Sequence, residues 1–158
     1  MKKSNAKVFV FMFATICFSV FWFAKINGYF DFTGKYGIES IDSNIYPMNL
    51  PLILDGELLT DWGAEPGREN KIGDYLTITF KSLKVLKNLT MRSTDNKLPD
   101  SFLFMIKDKY GKWIVPPSLY YIGGKFSFDE TELTSVRIEI ANDATKFEWR
   151  ISEVIINE

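Results

Sequence analysis

From Pro51 to the C-terminus the apolar residues arrive in short runs and never as a helical stripe, and that pattern decides the fold class. No stretch keeps apolar residues at i, i+3, i+4 and i+7 over three turns. Instead, Leu76, Ile78 and Phe80 alternate with Thr77 and Thr79 along Tyr75–Phe80, the period of a half-buried strand. Leu83–Arg92 and Phe102–Lys107 follow, the second apolar on both faces and so expected inside a sheet. Asp108-Lys109-Tyr110-Gly111-Lys112 reads as a hairpin turn before Trp113–Val115. Pro116-Pro117 breaks the chain, Gly123-Gly124 separates two further runs, and Val136, Ile138 and Ile140 alternate with Arg137 and Glu139. Phe147–Ile156 is the expected last strand. Seven or eight strands in roughly 105 residues predict an all-β, antiparallel sandwich or barrel.

The N-terminal part obeys different physics. Lys2, Lys3 and Lys7 precede an unbroken apolar run from Val8 to Ala24, which as a helix of about 1.5 Å per residue is a short membrane span or a long signal-peptide core. Cations before the run hold the N-terminus in the cytoplasm and send the rest of the chain across the membrane. Lys25, Ile26, Asn27 and Gly28 offer no small-x-small cleavage pattern, and Ile16 before Cys17 is too bulky for a lipoprotein signal. An uncleaved anchor, a cleaved signal and a buried apolar helix remain as alternatives for residues 1–28. Residues 29–49 read as a linker plus the entry to the domain, with Ile38, Ile41 and Ile45 spaced for at most a helical turn. The β domain is expected over 50–158, in the periplasm or outside the cell, and secreted if the segment is cleaved.

Composition then removes function classes. The chain has no His and one Cys, which excludes Ser-His and Cys-His catalysis, His-based zinc sites, thiolate metal cages and an intramolecular disulfide. The formal charge of −1 is a cancellation, because residues 1–28 carry four Lys and no acid. Subtracting them from 19 basic and 20 acidic residues leaves 15 against 20, or −5, for the remainder. Such a domain lacks the cationic surface that nucleic acid phosphates require and does not attract anionic lipid.

One carboxylate interrupts the pattern. Phe147, Trp149, Ile151 and Ile155 share one phase of the last strand, and Glu153 falls in it. A bare carboxylate in an apolar setting costs several kcal/mol, so Glu153 must be turned outward by a bulge, paired with an Arg, or bound to a cation. A hard cation such as Ca²⁺ collects carboxylate, hydroxyl and carbonyl oxygens from a tight loop. Leu54-Asp55-Gly56-Glu57-Leu58-Leu59-Thr60-Asp61-Trp62 is such a loop, with Asp55 and Thr60 five residues apart and Gly56 permitting a turn.

That loop and the last strand together carry a family resemblance. "LDGELLTDWG" resembles the D-G-x-x-x-T-x-W opening of F5/8 type C (discoidin) domains, the galactose-binding-like family that includes carbohydrate-binding module family 32. "GDYLTITF", "LKNLTMR", "FLFMIKDKYGKWIVP", "LTSVRIEIAND" and "FEWRISEVII" are similar to later family segments in the same order, so the resemblance covers about residues 50–158. It implies a jelly-roll β-sandwich and a structural Ca²⁺ with Asp55, Thr60 and Glu153 as side-chain ligands and backbone carbonyls around Leu52 and Leu58. It also implies that Trp62, Trp113 and Trp149 are core residues. Arg92 matches a sugar-contacting Arg of galactose-binding members, and Asn96 follows in the same loop. Arg68, Glu69, Asn70, Tyr120, Tyr121 and Phe147 are the further candidates for a glycan site, although the sugar-binding pattern's frequent His is missing.

The resulting expectation is a non-catalytic carbohydrate-binding module exposed outside a bacterial membrane and recognising surface or envelope glycan. The alternative is a protein-interaction accessory subunit of an envelope glycan-synthesis or export complex, with a membrane protein partner. No carboxylate pair stands out for glycoside hydrolysis.

Overall fold

Alternation in the sequence becomes alternation in burial. Leu76, Ile78 and Phe80 are buried while Thr77 and Thr79 are half-buried. Residues 81–87 contain no Gly or Pro to end the strand, so the chain bends instead of turning. The two runs expected to be separate strands are one, β3, at Tyr75–Arg92. The computed structural model describes residues 36–45, 47–57, 59–63, 68, 71–93, 98, 102–141 and 149–157. The chain divides into two units, Met1–Asp31 and Phe32–Glu158. The apolar run Val8–Ala24 lies outside the described residues, and among the described ones no helix is long and apolar enough to cross a membrane.

The other strands are β1 (Ile38–Ser43), β2 (Trp62–Gly63), β4 (Phe102–Asp108), β5 (Trp113–Ile114), β6 (Tyr120–Ile122), β7 (Lys125–Ile140), β8 (Arg150–Ile151) and β9 (Glu153–Asn157). A 3-10 segment, Pro47–Leu54, joins β1 to the Asp55 loop. Every strand pairing among the described residues is antiparallel. β3 and β7 pair along most of their lengths, with register shifts between Thr79 and Lys84 and between Leu86 and Asn88. Their pairings fall into two sets on either side of the bends. The first half of β3 and the second half of β7 sit in the order β1-β3-β7-β4-β5. The second half of β3 and the first half of β7 are flanked by β9 and β6. These are the two layers of a β-sandwich, as the sequence pattern predicts, joined by strands that run through both. A two-stranded ribbon, β2 with β8, completes it.

Two further expectations are refined. The entry to the domain within residues 29–49 is itself a strand: Ile38–Ser43 forms β1 and pairs with β3, with Ile38 and Ile45 buried. Ile38 and Ser43 face inward from the ends of that strand, a spacing the three isoleucines do not reveal. The last strand is also not continuous. β8 pairs with β2 and β9 with β3, and between them Ser152 is fully buried and donates its amide to the Arg92 carbonyl at 2.9 Å.

The core is aromatic at its centre. Trp62 and Trp149 are both fully buried and meet edge to face at 5.4 Å, and Phe104 stacks on Phe126 at 4.5 Å. Trp113 departs from its family position: it is 36% exposed, with the Lys107 ammonium 6.0 Å from its ring centre. β5 is a two-residue edge strand, so among the described residues no further strand covers the indole.

The Gly123-Gly124 turn between β6 and β7 has φ of 55° and 85°, the left-handed pair that a two-residue hairpin needs. A Cβ on Gly123 meets open space, whereas one on Gly124 would lie 2.5 Å from the Met91 carbonyl oxygen. We therefore expect Gly123→Ala to cost about 1 kcal/mol, the left-handed strain alone, and Gly124→Ala about 3 kcal/mol, strain joined by overpacking. Urea unfolding midpoints of the two variants check the order.

Candidate functional site

The Asp55 loop closes on itself through oxygen. Gly56 at φ 78° turns the backbone. Asp55 Oδ1 then accepts the Glu57 amide at 2.8 Å and Oδ2 accepts the Thr60 hydroxyl at 2.8 Å. The Glu57 carbonyl oxygen lies 3.0 Å from that same hydroxyl, and the Asp55 amide donates to the Leu52 carbonyl at 3.3 Å. Asp55 and Thr60 therefore converge as their spacing predicts, while Leu58 lies outside the described residues. A carboxylate, a hydroxyl and carbonyls are the right donor chemistry for a hard cation, but one charge makes a weak site. Among the described residues no three acidic or sulfur side chains gather where a metal ion would fit.

Glu153, the third side-chain ligand that the resemblance implies, has an arginine partner. Ser152 breaks the strand, so burial passes from Trp149 and Ile151 to Val154 and Ile156, and Glu153 turns outward. It stands directly across from Arg92 in the β3–β9 pairing, and Arg92 Nη1 donates to its Oε2 at 3.1 Å. The carboxylate side chain is 12% exposed and the guanidinium side chain 52%.

Arg92 gains its outward position from the second register shift. Leu86 is buried, then Leu89 and Met91, so the buried phase flips from even to odd between them. Asn88, Thr90 and Arg92 consequently face out. The neighbouring strands continue that face, with Ile155 on β9, Lys125 on β7 and Ile122 on β6 in one row with Thr90. Tyr120 belongs to the same face, 60% exposed and in row with Asn88, Ser127 and Asn157. It lies two strands and four residues from Arg92, roughly 16 Å at ordinary strand spacings, a gap one sugar ring does not span. Lys125 and Ile122 are absent from the candidates that sequence reasoning selects; the alternation of β7 and the exposed hairpin turn are the signals that could have found them.

The remaining candidates separate. Tyr121 points inward, its ring 4.6 Å from Phe126 and 5.6 Å from Phe102, and is packed against the core. Arg68 makes a two-pronged ion pair with Asp74, at 3.0 and 2.9 Å, and Asp74 also accepts the Lys71 amide at 2.7 Å. Asp74 is 2% exposed, so Arg68 is the counter-charge of a buried acid. Glu69, Asn70, Asn96 and Phe147 lie outside the described residues.

No family model and no curated protein matches the chain. Solved structures do. A family 32 carbohydrate-binding module of AlyQ, in complex with 4,5-unsaturated mannuronic acid, aligns at TM-score 0.57 and 23% identity over 77% of this chain and 96% of that one. The family 32 module of NanJ from Clostridium perfringens, in complex with galactose, aligns at TM-score 0.58 and 9% identity over 74% and 91%. A two-domain protein of unknown function from Bacteroides fragilis aligns at TM-score 0.58 and 23% identity over 75% of this chain and 41% of its own. The fold is thus the galactose-binding-like sandwich of family 32 modules, as the sequence resemblance implies.

Removing Arg68 leaves the Asp74 carboxylate buried without its cation, whereas removing an exposed sugar contact leaves stability unchanged. Arg68→Ala is expected to lower unfolding free energy by about 2 kcal/mol, less than a fully buried pair because Arg68 is itself partly solvated. A denaturant titration measures this.

Proposed function

We propose that the domain is a non-catalytic carbohydrate-binding module held on the outer side of a bacterial membrane, where it recognises surface or envelope glycan. The observation that carries the reading is Arg92: a half-exposed guanidinium at the end of β3, on a fold shared with modules that bind galactose and an unsaturated mannuronic acid. Its N–H groups beyond the Glu153 contact suit sugar hydroxyls, and the exposed Ile122, two strands away on the same face, offers apolar surface to C–H groups of an extended glycan. Asn96, in the segment after Arg92, and Phe147, shortly before Trp149, are sequence candidates for the same ligand. Binding without turnover is the proposed role; in truncated AlyQ, which this chain covers over 32% of its length, a module of this fold accompanies an alginate lyase domain. Lys2, Lys3 and Lys7 before Val8–Ala24 support membrane anchoring with the β domain exported.

A structural Ca²⁺ in the Asp55 loop is part of the proposal. Asp55, Thr60 and backbone carbonyls around Leu52 and Leu58 would hold it, and when bound it would neutralise the Asp55 carboxylate and tie the loop ends together.

A second reading, an accessory subunit that docks on a membrane protein of an envelope glycan-synthesis or export complex, has its own observation. Leu103 and Trp113, 38% and 36% exposed, put apolar surface on the outer face of the layer that contains β4 and β5.

A glycan array followed by calorimetric titration of the full chain in detergent tests the first reading. Saccharide binding that weakens about tenfold or more in Arg92→Ala is the expected result, the loss of one charged hydrogen bond. Absence of binding to any saccharide at millimolar concentration, with a specific crosslink to a membrane protein, favours the second. For the cation, a chelator is expected to lower the melting temperature by roughly 3–5 °C, about 1 kcal/mol, and Asp55→Ala to abolish that difference. An unchanged wild-type melting temperature removes the Ca²⁺ site.

A further inference from the structure

We infer that Glu153 serves the Arg92 subsite, holding the guanidinium in place and restricting its ligands to neutral sugars. This rests on the reading of Arg92 as a sugar contact, and goes beyond it by assigning a ligand class and a residue that sets it.

The geometry of the pair is built by the strands. Arg92 and Glu153 are direct cross-strand partners, and the Ser152 amide clamps the Arg92 carbonyl at 2.9 Å immediately beside them. Burial of Ser152 forces the phase break that turns Glu153 outward, so the carboxylate meets the guanidinium on the solvent side of the sheet. The asymmetry in exposure, 12% against 52%, matters: the carboxylate is sheltered by the fold while the guanidinium is offered to solvent. An arginine left alone loses rotamer freedom when it captures a ligand, and here part of that ordering has already occurred. The contact uses Nη1, and a guanidinium has five N–H donors, so hydroxyl recognition remains open.

Charge decides the ligand class. An isolated guanidinium prefers a carboxylate or phosphate, with which it makes charged, two-pronged bonds. Glu153 compensates the Arg92 charge, so an incoming uronate meets a carboxylate at the same distance range as that cation, and Lys125 is the remaining cation of the face. A neutral hydroxyl meets no such repulsion. Glu153 is therefore a positioning and specificity residue, in a place where the sequence pattern alone leaves a cation ligand as an alternative.

Galactose and galacturonic acid, which differ in a single carboxylate, are the probes, titrated calorimetrically into the full chain in detergent. Wild type is expected to bind galactose more tightly. Glu153→Gln is expected to weaken galactose about fivefold and to strengthen galacturonate about threefold, so the ratio of the two moves by about fifteenfold. Lys125 on the same face is present in both proteins and cancels from the change in that ratio between wild type and variant. An unchanged ratio in Glu153→Gln, or a wild type that prefers galacturonate, overturns the inference. Should the variant melt early, the salt dependence of galacturonate binding to wild type replaces it: a flat profile supports the neutral subsite and a steep loss with salt overturns it. Arg92→Ala that leaves galactose affinity intact, or wild type that binds neither sugar, overturns the sugar-site reading itself and this inference with it.

Discussion

The pairing of β3 with β7 holds the whole domain together. Each strand passes from one layer to the other without a turn, so the same two backbones supply hydrogen bonds and core side chains to both. A long strand that bends must release its register somewhere, and here it does so between Thr79 and Lys84 and between Leu86 and Asn88. The hydrophobic residues follow the slips. Phe80 and Leu86 close the core of one layer, and Leu89, Met91, Phe126 and Phe128 fill that of the other. β1, β4 and β5 extend one half of this spine, and β6 and β9 the other.

Two phase flips, not the sandwich as such, place the candidate site. Had β3 kept its even-numbered phase past Leu86, Asn88, Thr90 and Arg92 would have pointed into the core. Had the last strand kept the odd phase of Trp149 and Ile151, Glu153 would have done the same. Either alone would bury one charge without its partner, at a cost of several kcal/mol. Both flips together bring the two charges out onto neighbouring strands, in direct register. The break at Ser152 and the slip at Asn88 are thus coupled in consequence although 64 positions apart in the chain.

Much of this is legible in the residues, and the exceptions have physical causes. Alternation locates the buried halves of β3 and β7, paired glycines mark the β6–β7 hairpin, and the Asp55–Thr60 spacing foretells a closed loop. Glu153 stands out as anomalous, but Val154, Ile155 and Ile156 are all apolar, so the sequence permits either phase and only the β3 pairing chooses. The same reasoning applied to Asp74 would have succeeded: it shares the phase of Leu76, Ile78 and Phe80, and it is buried and paired with Arg68. β1 escapes because a six-residue edge strand shows too few alternations to register. Long-range partners are not written in local pattern at all, which is why the identity of the Arg opposite Glu153 comes from topology alone.

Charge and the missing histidine then constrain what a site here is able to read. With no histidine, no side chain has its ordinary titration between pH 5 and 8. The chain beyond residue 28, with a formal charge near −5, opposes acidic ligands at long range, an effect salt screens over about 10 Å. At short range a local cation reverses that bias; Glu153 compensates the one at the end of β3, which leaves Lys125 as the cation of that face. For the proposed subsite, what is left to discriminate ligands is the angular placement of N–H donors around hydroxyls and the apolar surface beside them, the features in which neutral hexoses differ from one another.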